Sequence, residues 1–88
     1  MAVANSAVDQ ATGNAAEAPA ELATARDKLA RANAAMARQD YVAARQLADE
    51  AAADAALAQA TARSARAGRA LAEVRQSIQQ LQSQLNRS

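Results

Sequence analysis

Apolar residues recur every three or four positions over most of the chain, which is the spacing of one face of an α-helix. Pro19 suits the first position of a helix because no N–H donor is needed there, and Glu21 suits the positive end of the helix dipole. The pattern after Pro19 therefore predicts an amphipathic helix that ends near Arg38. Its apolar stripe consists of Leu22, Ala25, Leu29, Ala32 and Met36.

A corner is predicted at Gln39 and Asp40, followed by a very long helix. The Asp40 side chain can accept hydrogen bonds from the unpaired N–H groups that open a helix. After the corner, Gly68 is the only glycine and no proline occurs, so one helix can run from about Tyr41 to about Asn86. At 1.5 Å per residue, this helix is about 70 Å long.

The two halves of this long helix carry different apolar residues. The first half is predicted to pack through a mostly small stripe, Ala44, Leu47, Ala48, Ala51, Ala55 and Ala58. The last part has larger residues at alternating steps of three and four, which make about two heptads of a coiled-coil seam. These seam residues are Leu71, Val74, Ile78, Leu81 and Leu85. We predict that the seam contacts another helix.

Residues 1–18 form a small, polar N-terminal arm, and residues 19–88 form a helical hairpin with a long C-terminal helix. The arm is expected to be partly helical because it is rich in Ala. A break is predicted between Gly13 and Pro19, since glycine costs about 1 kcal/mol and proline about 3 kcal/mol inside a helix.

Two arrangements of the arm follow. If the chain folds back at Asp40, residues whose numbers sum to about 80 lie side by side, which places Val8 beside Leu71 and Val3 beside Ile78. We favour this all-α fold, a long antiparallel helical hairpin with an interrupted first arm and a very long C-terminal helix. In the alternative, three helices form, the arm folds back along the other two, and the last two heptads stay bare for a partner.

Composition narrows the fold class further. Of 88 residues, 30 are Ala, and there is no Phe, Trp, Cys or His. Too few bulky side chains remain to fill a sandwich, a barrel or a doubly wound sheet. Disulfides, thiolate chemistry, ordinary zinc sites and His-based catalysis are excluded. Tyr41, the only aromatic residue, is expected to cover the end of the apolar stripe at Met36.

The net charge of +1 predicts no strong nonspecific attraction to nucleic acid or to an anionic membrane. Arg63, Arg66 and Arg69 nevertheless form a candidate contact strip for an anion or an acidic partner. Exposed charges beside a coiled-coil seam explain them more simply, and no aromatic residue lies nearby to stack on a base. A third explanation is an antiparallel second copy whose acidic stretch from Asp49 to Asp54 faces the strip.

A catalytic or metal-binding role has little support in the sequence. Asp49 or Glu50 could share a helix face with Asp54 and hold a divalent cation. We favour a solvated acidic face, because no His and no second carboxylate pair completes a ligand shell. Nothing resembles a phosphate-binding loop, a nucleophile elbow or a catalytic triad. We predict that the protein is not an enzyme and binds no metal or cofactor.

Several strings of residues together resemble the bacterial family DUF4398, a domain of unknown function. The resemblance extends by eye from about Ala15 to Leu85. At the corner, family members commonly have Gly where this chain has Gln39. The strings are Ala18-Pro19-Ala20-Glu21-Leu22, Ala25-Arg26-Asp27-Lys28-Leu29, Asp40-Tyr41, Ala44-Arg45-Gln46-Leu47-Ala48 and the set Ala51, Asp54, Ala55, Leu57 and Ala58.

The resemblance implies a small Ala-rich helical domain of the Gram-negative cell envelope. Members are often lipoproteins and sometimes precede an OmpA-type peptidoglycan-binding domain, but this chain shows no lipobox Cys and no such domain. No bilayer-spanning segment and no export signal are recognisable. The family carries no established activity, so the resemblance implies a compartment and a fold, not a mechanism.

Together these observations give one leading hypothesis and one alternative. The leading hypothesis is a non-catalytic structural or protein-interaction module of the envelope. It would lie in the periplasm or on the periplasmic face of the outer membrane and touch the membrane only through a lipid anchor. Its partner would be a second copy or another helical envelope protein, bound by coiled-coil association. The alternative is a cytoplasmic binder of nucleic acid or another anionic ligand through the Arg strip.

Overall fold

The computed structural model of the chain describes residues 2–15 and 17–87, apart from the side chain of Asn14. It consists of three α-helices: α1 (Ala2–Asn14), α2 (Pro19–Ala37) and α3 (Tyr41–Arg87). The described residues contain no β-strand. The predicted all-α hairpin, the break between Gly13 and Pro19 and the very long last helix are confirmed. No helix in residues 2–15 and 17–87 is both long and apolar enough to cross a bilayer.

Helices α2 and α3 pack antiparallel, as a chain reversal at Asp40 requires. The Lys28 ammonium in α2 lies 2.8 Å from the Asp54 carboxylate and 3.7 Å from that of Glu50 in α3. These residue numbers sum to 82 and 78. The predicted pairing of residues whose numbers sum to about 80 is therefore correct for this pair of helices.

Helix α1 takes the alternative arrangement and folds back along α2 and α3. Ala4 lies in one buried cluster with Ala32 of α2 and Ala48 of α3, and Arg26 donates a hydrogen bond to the Thr12 hydroxyl at 3.1 Å. The break between α1 and α2 allows the chain to reverse. The result is a three-helix bundle at one end of a rod that measures 74 × 17 × 15 Å.

The predicted contacts of Val8 with Leu71 and of Val3 with Ile78 do not form. Val8 is buried in the bundle, whereas Val3, Leu71 and Ile78 are exposed. Folding α1 back onto the bundle buries its small face against Ala residues of two helices at once. An extended arm would have packed against α3 alone.

The bundle core is built almost entirely from methyl groups. Among the fifteen buried residues of the described chain, all except Val8 and Leu22 are Ala. Their small side chains let the helix axes approach closely, so the three helices fit together with little bulk between them. Each Ala contributes little burial, and the bundle is therefore sensitive to any change in side-chain volume.

Helix α3 continues well beyond the bundle. Its last buried residue is Ala62, and every residue from Arg66 to Arg87 is exposed. The segment after Arg69 projects by about 27 Å at 1.5 Å per residue.

The seam of the projecting segment is not a continuation of the stripe that faces the bundle. The inner stripe of α3 includes Ala55, Ala58 and Ala62, which are fully buried. At 3.6 residues per turn, the seam from Leu71 to Leu85 lies about 150° around the helix from this stripe. The bundle therefore leaves the whole seam face of α3 open.

Both predicted helix starts are confirmed. Pro19 stands in the first turn of α2, and the N–H of Ala43 donates to Oδ1 of Asp40 at 3.3 Å. Helix α2 ends in two capping hydrogen bonds: the Asp40 N–H donates to the Ala35 carbonyl, and the Gln39 N–H donates to the Met36 carbonyl, both at 2.9 Å. This is the Schellman arrangement.

The Schellman arrangement forces Gln39 into the left-handed region, with φ of 62°. The Cβ atom of a non-Gly residue costs about 1–2 kcal/mol there, whereas Gly adopts this conformation freely. After allowance for the greater freedom of Gly in the unfolded chain, we expect Gln39→Gly to raise the free energy of unfolding by about 1 kcal/mol. Urea denaturation followed by circular dichroism measures this change.

The matched control is Arg38→Gly, one residue earlier. Arg38 has φ of −82°, where Gly offers no conformational advantage, so this variant should be no more stable than the wild type. Equal gains for the two variants would show that the left-handed conformation is not the cause.

Candidate interaction site

The seam on the projecting part of α3 is the most conspicuous apolar surface of the described chain. Its five side chains are between 49% and 74% exposed, and they lie on one face because they alternate steps of three and four. They are Leu71, Val74, Ile78, Leu81 and Leu85. Soluble monomers rarely leave so continuous an apolar strip in water.

The positions that flank the seam are nearly free of charge. Such positions in a coiled coil usually carry charges that choose the partner and its direction. Here they are occupied on one side by Ala70, Ser77 and Gln84, and on the other by Gly68, Arg75 and Gln82. Only Arg75 is charged, so the positions beside the seam offer little charge by which a partner could be selected.

The same heptad pattern continues from the seam back along the bundle. The residues seven and fourteen positions before Leu71 are Ser64 and Leu57. The residues seven and fourteen positions before Val74 are Ala67 and Ala60. All four are exposed, with Leu57 at 56%. We call the face from Leu57 to Leu85 the extended seam. The first half of the extended seam was not predicted, because the stripe of Ala residues on the other face of α3 already accounts for the apolar spacing of that region.

The three residues of the Arg strip do not lie on one face of α3. Side chains three residues apart are displaced by about 60° around a helix, so the strip winds from the edge of the seam toward the bundle. Arg69 lies 2.7 Å and Arg66 lies 3.8 Å from the carboxylate of Glu17 in the α1–α2 connection. Arg63 lies on the seam side. Two of the three guanidinium groups thus hold the connection onto α3, which weakens the argument for an anion-binding strip.

The acidic residues on α3 also have a partner within the chain. Lys28 lies between Glu50 and Asp54, and the Asp54 Oδ2 atom is buried and has no polar partner in the described chain besides this ammonium. Among residues 2–15 and 17–87, no group of three or more acidic side chains is placed to hold a metal ion.

Lys28 gives the bundle a testable dependence on pH. Its hydrogen bond with Asp54, and then the nearby negative charges, raise the pKa of the Lys28 ammonium above its ordinary 10.5. A raised pKa stabilises the fold at every pH below the unfolded value, and this contribution disappears as the pH rises through the folded value. We expect the wild type to melt at a higher temperature than Lys28→Gln at about pH 8, and the difference to vanish as the pH rises through the raised pKa of Lys28.

Thermal denaturation across this pH range tests the expectation, with Lys28→Arg as the control. The guanidinium stays charged at these pH values, so this variant should keep its advantage over Lys28→Gln in alkali. A wild-type advantage that persists unchanged above the folded pKa would contradict the assignment.

Tyr41 does not cover the stripe as expected. It is 60% exposed and borders an open depression with Met36 and Val3 at the corner end of the bundle. Met36 remains exposed as well. The reason is that α1, rather than the aromatic ring, packs beside this end of the hairpin.

Comparison with known proteins gives one match. The family model described as domain of unknown function DUF4398 matches residues 1–74. The matched range contains the three-helix bundle, Leu71 and Val74, while Ile78, Leu81 and Leu85 lie beyond it. No curated protein and no solved structure matches the chain significantly.

Proposed function

The chain belongs to the family DUF4398, which has no assigned function, and from its geometry we propose that it is a non-catalytic module that binds another protein through the extended seam. One observation supports this above all others. A rigid helix projects from the bundle with an apolar seam that no residue of the described chain covers.

Burial energetics favour association over continued exposure. Complete burial of a Leu, Ile or Val side chain is worth about 1.5–3 kcal/mol. Because the seam residues are about half exposed, a partner helix that covers them gains about 1 kcal/mol for each side chain. The bundle plays a different part: it fixes the start of α3 and holds the projecting segment at a defined angle.

We further propose that the protein works in the periplasm or at the periplasmic face of the outer membrane of a Gram-negative cell. The resemblance to envelope proteins supports this location. Fractionation of cells that express the whole native gene tests it. Release of the protein with the periplasmic contents, or its recovery with outer membranes, is expected. Recovery with the cytoplasm would contradict the proposal.

Site-specific photo-crosslinking in living cells tests the seam itself. A benzophenone amino acid placed at Ile78 or Leu81 should give a protein adduct on irradiation. The matched control is Gln76, which lies on the opposite face of the same segment and should give none. Equal labelling from both faces, or no adduct at Ile78 and Leu81, would overturn the proposed function.

A further inference from the structure

We propose that the partner at the seam is a second copy of this chain, docked antiparallel so that Leu71 of each copy lies against Val74 of the other. This inference rests on the proposed function, since it names the partner of the same seam. In this arrangement, residues that face each other have numbers that sum to 145. The two bundles then lie at opposite ends, and each projecting segment covers the open face of the other copy.

Side-chain sizes are complementary in this register. Apart from Leu57, the extended seam has small residues in its first half and large residues in its second half, so an antiparallel copy places large against small on both sides of the central contacts between Leu71 and Val74. Ile78 faces Ala67, Leu81 faces Ser64, and Leu85 faces Ala60 of the second copy. A parallel pair would instead place Ser64 against Ser64 and Leu81 against Leu81. Because the distance between helix axes depends on the contacting side chains, a parallel pair would need a close approach at one end and a wide one at the other.

Charge distinguishes this register from its neighbours. Here the flanking residues of the two copies form neutral or mixed pairs, Arg75 with Gly68 and Arg63 with Gln84. A shift of one heptad away from the bundles would bring Arg75 against Arg75, which is a repulsion between like charges. A shift of one heptad the other way would bring Glu50 into the seam, where a carboxylate loses hydration.

The length of contact also favours this overlap. A pairing confined to Leu71 through Leu85 would bury five apolar side chains per copy along about 21 Å of helix. The extended seam from Leu57 to Leu85 doubles that length. Stable specific interfaces bury at least about 1,200 Å² in total, and the longer overlap brings a slender two-helix contact closer to this range because the buried area grows with its length.

Disulfide trapping tests the register directly, because the chain has no Cys of its own. Purified Ser64→Cys and Leu81→Cys variants of the full chain, one of them isotopically labelled, are mixed and equilibrated in a glutathione redox buffer. We expect the mixed disulfide to exceed the statistical share. The control mixture combines Ser64→Cys with Val74→Cys, which lies one heptad away from the proposed partner position and should not exceed that share.

Other products would overturn the arrangement. Self-linked Ser64→Cys as the main species would indicate parallel pairing, and preferential linkage to Val74→Cys would indicate the shifted register. Sedimentation equilibrium checks the association independently. The wild type should show a dimer that increases with concentration, whereas a variant with both Ile78→Asp and Leu81→Asp should be monomeric and equally helical.

The photo-crosslinking experiment separates failure of this inference from failure of the proposed function. An adduct at Ile78 with twice the mass of the chain supports the second copy. An adduct only with a different protein, together with a monomeric wild type, would overturn the second copy and leave the seam as a binding surface. No protein adduct would overturn both.

Discussion

Replacing Ala25 with leucine should lower the free energy of unfolding by about 3 kcal/mol, the upper end of the usual cost of overpacking. Ala25 is fully buried, in a cluster that includes Ala11 of α1 and Ala55 of α3. Three extra carbon atoms would push at least one of these helices away and separate many methyl contacts. Urea denaturation monitored by circular dichroism measures the effect. In a domain of this size, such a loss can remove most of the stability.

Ala23→Leu is the matched control. Ala23 lies in the same helix, two residues earlier, and is exposed. The same substitution there makes the same small change in helix propensity and adds the same apolar surface without a steric conflict, so stability should change by less than about 0.5 kcal/mol. Similar losses for the two variants would show that close contact in the Ala core does not determine stability.

Most of the helix boundaries could be predicted because their signals are local. Pro19 begins α2 because its backbone lacks an N–H, which the first position of a helix does not need. Asp40 begins α3 because its side chain accepts a hydrogen bond from the N–H of Ala43, three residues later. The break between Gly13 and Pro19 has the same local origin. Each signal depends on a few neighbouring residues, and none depends on what the rest of the chain does.

The direction of α1 could not be predicted in the same way. The break shows where the arm bends, but the apolar spacing of the arm is compatible with both arrangements, so the pattern alone does not separate them. The chain reverses because Ala4 and Val8 can then pack against residues of two helices instead of one. Such a choice depends on packing between distant parts of the chain, which no local pattern contains.

The seam residues were predicted, but the face that they occupy was not. The seam that begins at Leu71 and the stripe of Ala residues that includes Ala55 both advance in steps of three and four. Spacing alone therefore makes them look like one continuous stripe. Their phases differ by two residues, which turns the seam to the opposite side of α3. Likewise, the pairing of Arg69 with Glu17 joins α3 to a short connection 52 residues away in sequence, and no local pattern predicts it.

Replacing Leu22 with alanine should lower the free energy of unfolding by about 2–4 kcal/mol. Leu22 is only 6% exposed and, with Val8, is one of the two buried residues of the described chain larger than Ala. Apart from Val8, the other buried residues of its cluster are Ala, whose side chains are too short to fill the space that it leaves, so the cavity term adds to the lost burial. Thermal or urea denaturation at low protein concentration measures the change without a contribution from association.

Leu57→Ala makes the same chemical change on the extended seam and serves as the control. Leu57 is more than half exposed, so in the monomer its truncation should cost less than about 0.5 kcal/mol. At higher concentration, loss of association should add to the cost of Leu57→Ala, because Leu57 lies at one end of the extended seam, whereas Leu22→Ala leaves the seam intact. A Leu57→Ala variant as unstable as Leu22→Ala at low concentration would mean that the outer face of α3 packs within the monomer, which would contradict its assignment as a binding surface.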